Sequence, residues 1–302
     1  MYPIKSGRAN EIKEANCTEE GLREIDNESR YSFRDRCFLM YEETNYKCLN
    51  VLRYRKALLV SVTSANKENL IFEAPNFREL CIKFSSFTKS PKLVKIMMYD
   101  TAINAVDCGD EASVWISQYL CGTSEGIRLG YFMEDFCTRL NPLEYFSKKN
   151  IDILSFYENM RKADSGLFAS LSSYMIINSA SVDDINNKLL LEDRFTYANF
   201  RPNIVVRGCE KYAEDKWKWI KIGENVILRN FKPCVRCHIT TINPITLEKN
   251  KNSQPFQILK TCRTVKQIKG HNFEGDSPVF GINAGLFVSG KIKIGDPVYI
   301  NY

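Results

Sequence analysis

Short runs of apolar residues, bounded by Gly, Asn or Pro, dominate the chain and predict a protein built mainly from β-strands. The predicted strands are 37–40, 58–63, 70–73, 204–207, 219–222 and 226–229. The last two flank Gly223-Glu224-Asn225, which predicts a hairpin with a short loop. Two further short strands near the C-terminal end are separated by Gly295-Asp296-Pro297.

Helical periodicity is confined to a few segments. One helix is predicted from apolar residues spaced i, i+3, i+4, i+7 and i+8 at Ala112, Trp115, Ile116, Tyr119 and Leu120. Asp110 is placed to cap its N-terminus and Gly122 to end it. A second helix is predicted to begin at Ser181 and to bury Val182, Ile185 and Leu189, with Asp183 and Asp184 in its first turn.

A chain of 302 residues predicts about two domains. The segment 134–169 is polar and mixed, and we interpret it as the connection between them. The predicted organisation is therefore a first domain at 1–133, a connection at 134–169 and a second domain at 170–302. With few helices among many strands, the predicted fold class is α+β and β-rich.

Composition narrows the class of protein. The formal net charge is +6, but basic residues are scattered among acidic ones, which argues against a nucleic-acid groove. No apolar run reaches the length of a membrane span. The eleven cysteines are odd in number and unevenly spaced, so we expect a reducing compartment and mostly buried thiols rather than a disulfide scaffold.

The segment Lys232-Pro-Cys234-Val-Arg236-Cys237-His238 carries the most distinctive candidate chemistry. Cys-x-x-Cys-His is a c-type haem attachment motif, and Cys-x-x-Cys also occurs in zinc sites and redox dithiols. No second cysteine pair completes a zinc site, and the β-prone residues after the pair do not suit a redox helix. The alternative to a functional site is that both cysteines are buried thiols of a β-barrel with only a packing role. Lys232 and Arg236 flank the pair and would favour a thiolate, which binds soft or mid-row metals.

A second segment, Asn199-Phe-Arg201-Pro202-Asn203, precedes a predicted strand. Arginine is a suitable phosphate ligand because its guanidinium donates two parallel hydrogen bonds, and asparagine can pair with both edges of a polar ring. An ordinary surface turn is the alternative interpretation.

Several motifs, in this order, resemble the MOSC-domain family, in particular the mitochondrial amidoxime-reducing components. They begin with Tyr2-Pro-Ile-Lys5-Ser6, Arg34-Asp-Arg36 and Asp107-Cys-Gly-Asp110. They continue with Phe200-Arg-Pro-Asn203, Cys234-x-Arg-Cys237, Thr240-Thr-Ile-Asn-Pro244, Leu259-Lys-Thr-Cys-Arg263, Ser277-Pro-Val-Phe-Gly281 and Gly295-Asp-Pro-Val-Tyr. The resemblance spans nearly the whole chain.

The resemblance implies an N-terminal MOSC-N β-barrel domain, a C-terminal MOSC β-barrel domain, and a molybdenum cofactor (Mo-molybdopterin) between them. It assigns the molybdenum-ligating, catalytic thiolate to Cys237 rather than Cys234. The implied cofactor-binding residues are Lys5, Ser6, Arg36, Ser172, Arg201, Asn203 and Arg263. Converging cations are what a dianionic phosphate requires.

The chain departs from the family pattern at several positions. Gly7 stands where the family usually has cysteine, and Ser179 replaces an acidic residue. Asn283 stands where the family has an aromatic residue near the metal. These changes leave the implied ligands in place and alter their surroundings.

The resemblance implies an oxidoreductase that reduces N-hydroxylated compounds such as amidoximes, hydroxylamines and N-oxides. The resemblance implies that electrons come from a b5-type cytochrome and its NADH-dependent reductase. The chain has no Gly-x-Gly-x-x-Gly nucleotide fingerprint, so we expect an external electron donor. The alternative is a non-catalytic cofactor-binding module like the C-terminal domain of molybdenum-cofactor sulfurases. The implied location is cytosol-facing, at the mitochondrial outer membrane where an anchor precedes the Tyr2-Pro-Ile-Lys5 stretch.

Overall fold

The computed structural model describes residues 1–25, 33–64 and 68–301. The chain forms two compact units. The first unit comprises Met1–Ala15, Glu20–Leu140 and Gly166–Ser170, and the second comprises Asn16–Glu19, Asn141–Ser165 and Leu171–Tyr302. Among the described residues, no helix has the length and apolar character needed to cross a bilayer.

Strands make up most of the regular structure, as predicted. The strands of the N-terminal half are β1 (Glu14–Thr18), β2 (Gly21–Glu24), β3 (Phe38–Glu42), β4 (Ser61–Ser64), β5 (Asn69–Glu73), β6 (Leu80–Lys83), β7 (Leu93–Met98), β8 (Thr101–Asp107) and β9 (Ile127–Tyr131). The helices there are α1 (Ser85–Thr88) and α2 (Asp110–Cys121). The first unit contains a four-stranded sheet in the order β3-β9-β8-β7 and a three-stranded sheet in the order β4-β5-β6.

Aromatic packing builds the core of the first unit. The Phe72 ring meets Phe38 edge-on with centroids 5.5 Å apart and lies 6.3 Å from the Trp115 ring of α2. The Trp115 indole is 1% exposed and donates to the carbonyl of Arg78 at 2.7 Å, so its one polar atom is satisfied. Helix α2 is thereby fixed to this core.

A buried ion network joins β8, β9 and β3. Arg128 donates to Asp107 through Nε at 2.6 Å and through Nη2 at 2.8 Å, and Tyr41 donates to the same carboxylate. Burial by itself would raise the pKa of Asp107, but the hydrogen bonds from Arg128 and Tyr41 outweigh it and lower that pKa. Asp107 therefore stays ionised and orients Arg128.

The second unit is organised around one larger sheet. Its strands are β10 (Tyr174–Asn178), β11 (Ile204–Val206), β12 (Trp219–Ile222), β13 (Val226–Val235), β14 (Val279–Val288), β15 (Gly290–Lys293) and β16 (Val298–Asn301). Its helices are α3 (Pro142–Ser147), α4 (Ser179–Asn186), α5 (Phe256–Cys262) and α6 (Val265–Lys269). Six strands hydrogen-bond in the order β11-β10-β14-β13-β12-β16, and the β10–β11 pair is parallel.

The segment after β9, which we interpreted as the connection, contains regular structure. It contains α3 and 3-10 turns at Ile153–Ser155 and Lys162–Asp164. Phe146, Ile153, Tyr157 and Met160 are buried in one apolar cluster with Phe231 of β13. The sequence did not predict this cluster, because its apolar residues are irregularly spaced within a mostly polar segment.

The local predictions hold with small shifts. The hairpin around Gly223 is confirmed, since Ile222 pairs with Val226. Helix α2 ends at Gly122 in the left-handed conformation, as predicted, but its N-cap is Gly109, and Asp110 is the first helical residue. Helix α4 begins at Ser179 rather than Ser181, because Asn178 accepts a hydrogen bond from the Ala180 amide and caps the helix.

One predicted strand was partly wrong, and so was the count of buried thiols. Residues 58–63 divide into a 3-10 turn at Arg55–Leu59 and β4. All eleven cysteines are free thiols, but only Cys17, Cys37, Cys108 and Cys137 are buried.

Candidate cofactor-binding site

The turn that carries Arg201 has an unusual backbone. A 3-10 helix at Tyr197–Phe200 is closed at its start by reciprocal hydrogen bonds between Thr196 and Asn199. It ends at Arg201, whose φ of 56° is in the left-handed region. A residue with a Cβ costs roughly 1–2 kcal/mol in that region, so the surrounding contacts must hold it there.

The two cysteines of the Cys-x-x-Cys segment occupy different environments. Cys234 lies in β13, is half-buried, and accepts from Arg236 Nη1 at 2.8 Å. Cys237 is exposed at the start of the 3-10 turn His238–Thr241, and its carbonyl accepts from the Thr240 amide at 3.2 Å. Of these two cysteines, Cys237 is therefore the more accessible to a ligand.

Hydrogen bonds join the Arg201 turn directly to the Cys237 loop. Asn199 Nδ2 donates to the carbonyl of Thr240 at 3.0 Å and to the carbonyl of Ile242 at 3.1 Å. Arg236 donates to the carbonyl of Phe200 and lies over the Phe200 ring, 5.1 Å from its centroid. The two segments singled out in the sequence are thus adjacent in the second unit.

Asn203 and Ser172 lie near the start of β10, where they meet adjacent residues of the sheet. Asn203 Oδ1 accepts a hydrogen bond from the backbone N–H of Met175 at 3.0 Å. The backbone N–H of Asn203 donates to the Met175 carbonyl at 2.8 Å. Met175 is paired with Asn283 of β14. Ser172 Oγ donates to Asn283 Oδ1 at 2.8 Å, so Ser172 contacts the same part of the sheet as Asn203.

Arg263 is held by acidic and aromatic neighbours. Its Nη2 lies 2.9 Å from both carboxylate oxygens of Asp215, and its guanidinium is stacked 3.9 Å from the Tyr212 ring centroid. Only 6% of Arg263 is exposed. The charge of Arg263 is therefore balanced by Asp215, and its role toward a cofactor stays a prediction.

The remaining predicted residues belong to the first unit. Lys5 is buried and donates to the carbonyl of Phe168 at 3.0 Å and to Ser170 Oγ at 3.3 Å. Ser6 and Arg36 are in the left-handed region, with φ of 67° and 54°. Arg36 forms an ion pair with Asp35 and lies over the Tyr2 ring. Together with Arg201, three of the predicted cofactor residues therefore have strained backbones.

Tyr99 is a neighbour of Lys5 that the sequence did not indicate. Its ring lies 5.1 Å from Lys5 Nζ, and its hydroxyl lies 2.7 Å from Ser170 Oγ. The residue occupies the turn between β7 and β8 with φ of 51°. No sequence pattern marks it, because the contact depends on a turn far along the chain.

Lys232 does not act on the cysteines as the sequence suggested. Its buried ammonium pairs with Glu274 at 2.6 Å and lies 4.8 Å from the Tyr157 ring centroid.

His238 stacks on Phe256 with centroids 4.1 Å apart. Over the ranges 1–25, 33–64 and 68–301, no group of three His, Cys, Asp or Glu side chains could hold a metal ion.

Burial changes the acid–base chemistry of two thiols in the first half of the chain. Burial raises the pKa of Cys17 to about 12 and of Cys37 to about 11, although hydrogen bonds partly oppose it. Such thiols remain protonated and behave as small apolar side chains.

Comparison with known proteins identifies the family of the chain. A family model described as MOSC domain matches residues 164–299, and one described as MOSC N-terminal beta barrel domain matches residues 1–123. The chain belongs to the MOSC family that includes the mitochondrial amidoxime-reducing components.

Relatives match over almost the whole chain. The mitochondrial amidoxime-reducing component 1 of Mus musculus is 30% identical over 301 residues, which is 99% of this chain and 80% of that protein. Component 2 of Homo sapiens is 31% identical over 299 residues, covering 99% of this chain and 81% of that protein. Component 2 of Macaca fascicularis is also 31% identical, with the same coverage. The MOSC-N and MOSC assignment of the fold is thereby confirmed.

The side chains present fit an anionic, metal-bearing cofactor. Among the described residues, Asn203 Nδ2 is buried and has no hydrogen-bond partner, so a polar group of a ligand would satisfy it. An exposed thiol at Cys237 supplies a soft donor. In the same unit, Arg201 supplies a cation at the end of the 3-10 helix that Asn199 joins to the Cys237 loop.

Proposed function

We propose that this MOSC protein binds a molybdenum cofactor and reduces N-hydroxylated compounds to the corresponding amines or amidines. The observation that carries the proposal is the exposed Cys237 thiol beside the Arg201 turn, joined to it through Asn199 and Arg236. The relatives that match the whole chain are named for amidoxime reduction.

We further propose a role for each predicted residue. Cys237 would bind molybdenum through its thiolate. Lys5, Arg36 and Arg201 would bind the cofactor's phosphate or pterin, with Ser6, Ser172 and Asn203 as hydrogen-bonding residues. Arg263 would contribute through Nε, since its Nη2 is engaged by Asp215. We also propose a first domain at 1–133, a connection at 134–169 and a second domain at 170–302.

The protein's own contribution would be binding and orientation. Bound molybdenum would supply two-electron chemistry that removes oxygen from nitrogen, with two protons taken up and water released. Asn203 Nδ2 would donate to the cofactor, which would satisfy its buried amide. The left-handed backbones of Ser6, Arg36 and Arg201 would hold their side chains in place before the cofactor arrives.

Electrons would come singly from a b5-type cytochrome, itself reduced by an NADH-dependent reductase. The net charge of +6 supports docking of an acidic cytochrome. The apparent affinity for the cytochrome should therefore weaken as salt rises, because the attraction is screened over about 10 Å at 0.1 M.

The experiment measures molybdenum and pterin in the purified protein and then amidoxime turnover. We expect about one molybdenum per chain, and turnover with reduced b5-type cytochrome but not with NADH alone. A protein without molybdenum or pterin would contradict the proposal. A molybdenum-loaded protein that accepts electrons but converts no N-hydroxylated compound would instead be a cofactor-binding module.

A further inference from the structure

The peptide that carries Cys237 is held on both sides by the Arg201 turn. Arg236, one residue before the thiol, donates to the carbonyl of Phe200. The carbonyls of Thr240 and Ile242, after the thiol, accept from Asn199. The position of the Cys237 loop relative to the Arg201 turn therefore depends on these contacts.

Every hydrogen-bonding atom of the Asn199 carboxamide is used. Nδ2 donates its two protons to the two carbonyls, and Oδ1 accepts from the Thr196 amide at 3.1 Å. Because the same side chain caps the 3-10 helix leading to Arg201, it couples the conformation of that turn to the position of the thiol loop.

We propose that Asn199 is a positioning residue that holds the Cys237 thiol in fixed relation to the Arg201 turn. The proposal rests on the proposed function, in which Cys237 binds the metal and Arg201 binds the cofactor. A metal held by one protein thiolate is sensitive to the direction of that thiolate. The effect of Asn199 on the thiol passes through the backbone of 238–242, where its side chain donates to two carbonyls.

The test replaces Asn199 with Asp, which is equal in size but cannot donate a hydrogen bond. The control is Asn186→Asp, because Asn186 similarly donates to the carbonyl of Phe195 at 2.8 Å and accepts from its amide at 3.1 Å. Asn186 lies in α4 and braces a different loop. Asn199→Ser, whose hydroxyl can donate one hydrogen bond, provides a second variant if the first fails to fold.

Two readouts separate positioning from general destabilisation. The first is the alkylation rate of Cys237 in the loaded protein, measured by mass spectrometry with the exposed Cys81 and Cys262 as internal references. The second is hydrogen exchange of the Thr240 and Ile242 amides in cofactor-free protein. Asn199→Asp should accelerate both by roughly tenfold, since lost hydrogen bonds ease local opening. Pterin content should fall far less, and Asn199→Ser should be intermediate.

The proposal is overturned if Asn199→Asp leaves both rates at the wild-type value. It is also overturned if Asn186→Asp accelerates them equally, because the effect would then be global. The exchange measurement needs no cofactor, so it tests Asn199 even if the purified protein holds no molybdenum. Absence of metal from the wild type would count against the proposed function alone.

Discussion

Ser172 Oγ donates to Asn283 Oδ1 at 2.8 Å, and this hydrogen bond between two buried side chains joins the segment just before β10 to β14. Asn283 is 5% exposed, and its Nδ2 donates to the Pro233 carbonyl of β13 at 3.2 Å. The position where the family resemblance implies an aromatic residue is therefore occupied by a buried amide that both donates and accepts a hydrogen bond. A cofactor contact at Ser172 would form beside this amide.

We expect Asn283→Phe to destabilise the second unit by about 1–3 kcal/mol, because the Pro233 carbonyl loses a buried donor. Urea unfolding measures the change. A double-mutant cycle of Ser172→Ala and Asn283→Ala should give a coupling energy of at least about 0.5 kcal/mol. Strict additivity would show that the hydrogen bond contributes nothing to stability.

Replacing Cys237 with Ala should remove molybdenum-dependent turnover while leaving much of the pterin bound, because the proposed pterin-binding residues are elsewhere. Metal analysis and pterin fluorescence measure the two separately. Cys234→Ala is the matched control, since that thiol is half-buried against Arg236. A fully active Cys237→Ala protein with an inactive Cys234→Ala protein would reverse the assignment.

Arg201→Ala should lower cofactor occupancy more than Arg201→Lys. Lysine keeps the charge but loses the two parallel hydrogen bonds that a guanidinium makes to a phosphate. Both variants keep a Cβ on a backbone with φ of 56°, so they share the same strain. Pterin content per chain is the measurement, and equal content in all three proteins would reduce Arg201 to a surface turn residue.

Asp107→Asn should destabilise the first unit by about 3 kcal/mol near neutral pH, because Arg128 would lose a buried anionic partner. The pKa of Asp107 is lowered on folding, so its contribution is present above the unfolded value of about 3.9. It is lost as pH falls through the lower folded value.

Urea unfolding of wild type and variant between pH 7 and pH 3 checks this sign. The stability difference should be constant above about pH 5 and shrink below it. Asp135→Asn, at an exposed position, should change stability by no more than about 0.5 kcal/mol. A difference that grows as pH falls would show that Arg128 does not hold Asp107 ionised.

Local chemistry in the sequence was sufficient for the strand-rich class, the Gly223 hairpin and the end of α2 at Gly122. These features depend on short apolar runs and on residues that tolerate a turn, and both act over a few positions. The family resemblance could also be recognised from the sequence, because it rests on the order of short motifs along the chain and not on how they pack.

Tertiary structure alone decided what surrounds each candidate residue. Lys232 and Arg236 are each two residues from Cys234 in sequence, yet Arg236 donates to the Cys234 thiol while Lys232 pairs with Glu274. The positioning role proposed for Asn199 depends on hydrogen bonds to two carbonyls about forty residues away in the sequence, and no local pattern predicts such contacts. Side-chain partners are set by strand order and register, and these follow from burying apolar faces across the whole unit.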